Sequence, residues 1–223
     1  MNQLITTGIV LSRTDYGEAD RILTLLTPDY GKLRLIAKGV RRIKSKLAGG
    51  IELFSISQLT FIKGRGEIGT LVSTRLDKHY RGIVANLDRT MLGYELIKQL
   101  NKVTEEAVDK EFFDLLQKTF EALDDSTIPL TIVRLWFKLQ LLDLTGRGPN
   151  LQTDEHGVKL QTSKKYEFNL DHMAFRASDG EGRFTSDHIK LLRIARGYTP
   201  LVIAHVQGSQ SLAEDFLSLL EGI

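Results

Sequence analysis

Lys32-Leu33-Arg34-Leu35-Ile36-Ala37-Lys38 reads as a β-strand with two unlike faces. Leu33, Leu35 and Ala37 fall on one side, Lys32, Arg34 and Lys38 on the other, and Ile36 alone breaks the alternation. The surrounding sequence is of the same kind. Residues 4–11 and 22–27 are rich in aliphatic and β-branched side chains, with Tyr16-Gly17 and Pro28-Asp29-Tyr30-Gly31 as turns between them. Residues 53–63 and 68–76 flank Gly64-Arg65-Gly66 and predict a hairpin. Five short strands within residues 1–81 imply a small barrel, and the five-stranded OB-fold is the expected form.

Beyond residue 82 the apolar period becomes helical, so the chain is expected to be α+β, with a helical domain over 82–223. Leu92, Leu96, Leu100 and Val103 share a face, as do Phe112, Leu116, Phe120 and Leu123. Ile128-Pro129 opens a further helix over 130–144, apolar on nearly all sides and so predicted to be the centre of a bundle. Gly146-Arg147-Gly148-Pro149 stops it. An irregular insertion is expected at about 147–185, with short strands near 158–160 and 166–170. Helices resume near Ser186 and at Ser211, where Ser211-x-x-Glu214 fits a capping box.

Charge is distributed unevenly. Residues 1–81 hold fourteen Lys and Arg against seven Asp and Glu, whereas the rest of the chain carries a net negative charge. Seven cations (Lys32, Arg34, Lys38, Arg41, Arg42, Lys44 and Lys46) fall within residues 32–46, and no acid follows until Glu52. Such a field neutralises phosphates and releases their counterions, which points to nucleic acid; a solvated surface face is the competing reading. Lys63 and Arg65 in the hairpin turn extend the field. Tyr16 and Tyr30, beside turn glycines, are candidates for stacking bases, while Phe54 and Phe61 fit a barrel core.

Other chemistries find little support. Gly64-Arg65-Gly66-Glu67-Ile68-Gly69 matches a dinucleotide fingerprint, but a β-prone run follows it where a helix is required. The sequence has no cysteine, and its five histidines are scattered, so no metal site or cofactor is expected. Asp124-Asp125 and Asp154-Glu155 read as loop acids, and Glu105-Glu106 as acids of a first helical turn. No nucleophile, base and oxyanion donor assemble, and catalysis is not expected. The start, MNQLITTGIVLSR, lacks the charged region of a signal peptide. The apolar run over 130–144 is short and contains Arg134, Lys138 and Asp143, so a soluble, cytoplasmic protein with no membrane association is expected.

Three blocks carry a family resemblance: Tyr16-Gly17-Glu18-Ala19-Asp20-Arg21-Ile22-Leu23-Thr24, Gly31-Lys32 through Arg41-Arg42, and Leu47-Ala48-Gly49-Gly50. Together they resemble the bacterial RecO proteins, mediators of recombinational DNA repair. The likeness continues more weakly through Arg89-Thr90, Gly93-Tyr94-Glu95-Leu96 and Gly146-x-x-Pro149-Asn150-Leu151. It implies an N-terminal OB-fold, a helical C-terminal domain and no enzymatic turnover. It further implies binding of single- and double-stranded DNA, annealing of strands coated by single-strand-binding protein, action with RecR in loading RecA, and association with the nucleoid. Many RecO proteins hold zinc with two Cys-x-x-Cys pairs. Here those positions fall near 154–157 and 178–182 without cysteine, so a degenerate zinc-finger-like insertion held by packing is expected. The acidic tail of single-strand-binding protein would require an apolar pocket rimmed by cations, with Arg134, Lys138, Lys98 and Lys102 as candidates. Composition and spacing alone leave an RNA-binding OB protein associated with the ribosome as the alternative.

Overall fold

The computed structural model describes residues 2–64, 66–104, 109–178 and 180–220. The chain forms two compact units, Met1–Asp124 and Asp125–Ile223. The first contains strands β1 (Gln3–Tyr16), β2 (Asp20–Thr27), β3 (Gly31–Ala37), β4 (Ser55–Ile62) and β5 (Ile68–His79). They close into a barrel in the order β1-β2-β3-β5-β4, with β4 returning to β1 and the β3–β5 pair parallel. This is the expected OB-fold arrangement. The alternation read in β3 places Leu35 and Ala37 in the barrel core with Val10, Leu23, Leu25, Leu59, Phe61 and Leu71, while Arg34 and Lys38 are exposed.

The same unit continues into α1 (Arg81–Val84), α2 (Leu87–Val103) and α3 (Lys110–Asp124). The change from strand to helix thus falls at the expected position near 81, while compactness groups the barrel with the helices up to Asp124. Asn86 caps α2 by accepting from the Arg89 amide at 3.0 Å. Leu92, Leu96 and Leu100 are buried as expected; Val103 is 44% exposed, and Ile97 is buried instead. Phe112, Leu116, Phe120 and Leu123 on α3 are all buried. Phe61 lies in the barrel core, but Phe54 packs edge-on against Tyr94 of α2 and Phe120 of α3. Gly93 permits that approach, since a Cβ there would stand 2.5 Å from the Phe54 ring.

The second unit holds α4 (Leu130–Leu144), β6 (Asn150–Asp154), β7 (Lys165–Asn169), β8 (Ala174–Ser178), α5 (Ser186–Gly197), α6 (Pro200–Ala204) and α7 (Ser209–Leu217). Helix α4 is central, packing against α5, α6 and α7 and burying Ile132, Val133, Leu135, Trp136, Phe137, Leu139 and Leu141. Its end is a Schellman turn: Gly146 takes φ +72°, its amide donates to Asp143 O, and the Arg147 amide donates to Leu142 O.

The insertion is more ordered than its sequence suggests. It forms a three-stranded sheet, β6-β8-β7. The strand expected near 166–170 is β7, whereas 158–160 contributes only a bridge from Lys159 to Thr153. The capping box expected at Ser211 is absent, because α7 starts at Ser209 behind Gly208, which takes φ +74°. A box is found instead at the start of α5, where the Thr185 amide donates to His188 Nδ1 at 3.2 Å. Among the described residues, no helix is long and apolar enough to cross a membrane.

Candidate nucleic-acid interface

The cations of residues 32–46 occupy different surroundings. Lys32 turns back on its own unit: Nζ donates to Asn101 O at 2.9 Å and Thr104 O at 3.0 Å, closing the C-terminal end of α2. Burial lowers the pKa of this ammonium from the usual lysine range. Arg34 is exposed and stands 3.7 Å from Glu67. Together with Tyr30, Lys32, Phe61, Lys63 and Gly64 it lines a cleft of about 430 Å³ between β3 and the β4–β5 hairpin. Lys63 Nζ lies 5.6 Å above the Tyr30 ring, whose edge contacts Phe61. Tyr30 is therefore half-buried, fixed as one wall of the cleft. The hairpin confirms that the glycine-rich run turns a strand into a strand, because β4 and β5 pair antiparallel on either side of it. Arg65 lies outside the described residues, as do Glu105 and Glu106.

Lys38, Arg41, Arg42, Lys44 and Lys46 are all exposed on the loop that follows β3. Its start is bound to the β1–β2 turn, where the Gly39 amide donates to Asp20 Oδ1 at 2.7 Å and the Arg41 amide to Ala19 O at 2.9 Å. Tyr16, 55% exposed, sits at the end of β1 beside that turn. Asp15 organises the neighbourhood. It accepts from Arg21 Nε at 2.8 Å and lies 3.5 Å from Arg41 Nε. The Arg21 hydrogen bond, with the positive charge of Arg41 behind it, lowers the pKa of the Asp15 carboxyl below the ordinary value. Neither Asp15 nor Arg21 is among the candidates read from sequence, yet the turn at Gly17 contained the signal: a hairpin there sets the two residues directly opposite one another.

The candidate tail-binding cations are divided between the two units. Lys98 and Lys102 are exposed on α2 of the first unit, whereas Arg134 and Lys138 are half-buried on α4 of the second. Lys138 Nζ donates to Leu220 O at 2.9 Å. Trp136 is 5% exposed, with its indole N–H on Tyr198 O at 2.9 Å, so it is core. Arg193 donates to Leu151 O, and Arg196 forms a two-pronged pair with Asp143, both N···O distances being 2.8 Å.

At the expected position of the first zinc-binding pair, Asp154 Oδ1 accepts from the His156 and Val158 amides at 3.0 and 2.9 Å. Glu155 takes a hydrogen bond from Asn169 at 2.8 Å. With no cysteine in the chain and no cluster of three potential ligands among the described residues, the insertion does not fit a zinc site. Its interior is aromatic instead: Phe175 packs edge-on to Tyr166, Phe168 and Phe184, and both Phe168 and Phe184 reach Phe216 of α7.

Residues 1–80 match the family model for the N-terminal part of recombination protein O, and residues 87–199 match that for its C-terminal part. The chain belongs to the recombination protein O family. The boundary between the two family models falls where β5 gives way to the helices. Relatives in the family named DNA repair protein RecO include one from Dehalococcoides mccartyi, 34% identical over 148 residues, or 66% of this chain and 58% of that protein. Another, from Roseiflexus sp., is 39% identical over 150 residues, covering 66% of this chain and 51% of its own length. The chain thus spans between about half and three-fifths of these curated relatives.

Proposed function

We propose that this protein is a non-enzymatic DNA-binding component of recombinational repair. It holds single- and double-stranded DNA by the phosphates, anneals strands coated by single-strand-binding protein and, with RecR, helps to load RecA. The observation that carries this reading is the loop after β3, which sets Lys38, Arg41, Arg42, Lys44 and Lys46 on the surface of an OB barrel. Membership of a family whose relatives are named DNA repair proteins directs the reading to DNA. Lys63, Arg34 and Tyr30 in the neighbouring cleft, and Tyr16 at the β1–β2 turn, extend the binding surface. Ion pairs to phosphate give affinity without sequence preference, as a protein acting on arbitrary broken DNA requires.

Replacing Arg41, Arg42, Lys44 and Lys46 together by Ala should weaken DNA binding for every sequence tested. The plot of log K against log salt should flatten by about 0.7 to 0.9 for each phosphate no longer neutralised. Because the four side chains are exposed, the melting temperature should barely move. An unchanged slope would return them to solvent. Annealing of complementary strands coated by single-strand-binding protein tests the repair role itself; tight RNA binding with no annealing would replace it with the RNA reading.

A further inference from the structure

Ile43 is fully exposed, although its neighbours in the loop after β3 are Arg41, Arg42, Lys44 and Lys46. Single exposed aliphatic residues are common on protein surfaces and by themselves mean little. Ile43 differs in how it is presented. The Ser45 amide donates to Arg42 O at 2.9 Å, closing a β-turn with Ile43 and Lys44 at its corner. Both ends of the loop are anchored to the barrel. Val40 lies in the barrel core, and Leu47 packs against that core while its carbonyl accepts from Thr74 Oγ1 at 3.3 Å. The loop therefore holds a branched apolar tip away from the barrel, with a cation on either side.

We infer that Ile43 is a wedge that enters the base stack while the flanking cations hold the phosphates. Those cations select a polyanion, but an isoleucine gains nothing from phosphate and needs a flat apolar surface beside it. In a nucleic acid that surface is the face of a base. Apolar side chains inserted at a base step unstack it at a cost of a few kcal/mol, offset by the interactions that the deformed strand then makes. This inference rests on the DNA-binding reading above and adds to it a residue that acts on bases, a local unstacking, and a means of opening a step before strands re-pair.

The test uses the full chain with single-stranded and duplex oligonucleotides carrying 2-aminopurine, whose fluorescence rises when it is unstacked. The unaltered protein should raise that signal on binding. The I43S protein should lose most of the rise and bind about tenfold more weakly, as expected when a buried apolar side chain is replaced by a small polar one. Its salt slope should be unchanged, because every cation remains. If I43S matches the unaltered protein in fluorescence and affinity, the wedge is overturned while the phosphate reading stands. If the unaltered protein binds neither oligonucleotide, the DNA reading itself fails. A basic loop with an apolar tip also suits an anionic bilayer surface. Tighter binding to phosphatidylglycerol vesicles than to DNA, abolished in I43S, would overturn the wedge in favour of membrane attachment.

Discussion

Lys32 and Arg41 belong to one run of cations, yet their surroundings differ. Arg41 is exposed next to Asp15, whereas Lys32 has its ammonium on two backbone carbonyls at the end of α2. Replacing Lys32 by Met keeps the aliphatic stem but removes the ammonium that donates to both carbonyls. K32M should therefore lower stability by about 1–3 kcal/mol, measured by urea unfolding, and leave the salt slope of DNA binding unaltered. A flatter slope with no change in stability would assign Lys32 to phosphate. Asp215 offers a second test at this scale. Hydrogen bonds from His188 and then Arg183 lower the pKa of its carboxyl. A carboxylate with a depressed folded value stabilises the fold above its unfolded value, about 4, and that contribution is lost as pH falls through the folded value. D215N should thus be less stable than the unaltered protein at neutral pH, with the two stability curves converging on acidification. Parallel curves would remove Asp215 from the acid response.

The elements differ in how much of them the sequence declares. The barrel strands were legible because each alternates or runs apolar between clear turns, and α4 because its apolar run is bounded by Pro129 and Gly146. The insertion was not, because its strands are five residues each and β6 pairs with β8 in parallel, with β7 between them in the chain, so that only β7 and β8 share a hairpin. Missing cysteines suggested a segment held by packing, but its aromatic residues come from β7, β8, the residues before α5, and α7, far apart in the chain. Within the candidate interface and tail site, the cations are visible in the sequence, but that Lys32 and Lys138 are taken up by carbonyls is not. If the aromatic cluster does the work of a metal, F175A should cost about 3–5 kcal/mol, since that ring is fully buried. Chelators should leave the melting temperature unchanged and elemental analysis should find no stoichiometric zinc. One zinc per chain with a chelator-sensitive melt would reverse this account.

For the whole molecule, charge and compactness divide the chain at different places. The barrel and its loops carry the cationic surplus, while residues 82–124, in the same compact unit, hold five Lys and Arg against nine Asp and Glu. If DNA is held at the loop after β3 and at the cleft beside the β4–β5 hairpin, α3, with four acids against two lysines, should repel it. Since the barrel and these helices form one compact unit, ligand held on the barrel stabilises the helices with it. The second unit has its own core around α4 and none of the residues proposed to hold phosphate. Thermal unfolding followed by hydrogen exchange should accordingly resolve two cooperative groups of amides. Single-stranded DNA at a hundred times its dissociation constant should stabilise the group within residues 1–124 by about 2.7 kcal/mol and leave that within 125–223 where it was. Equal stabilisation of both groups would mean that the units unfold as one, or that the second unit also holds DNA. Repeating the measurement with the four loop cations replaced by Ala separates these outcomes, because only a second binding surface would still protect residues 125–223.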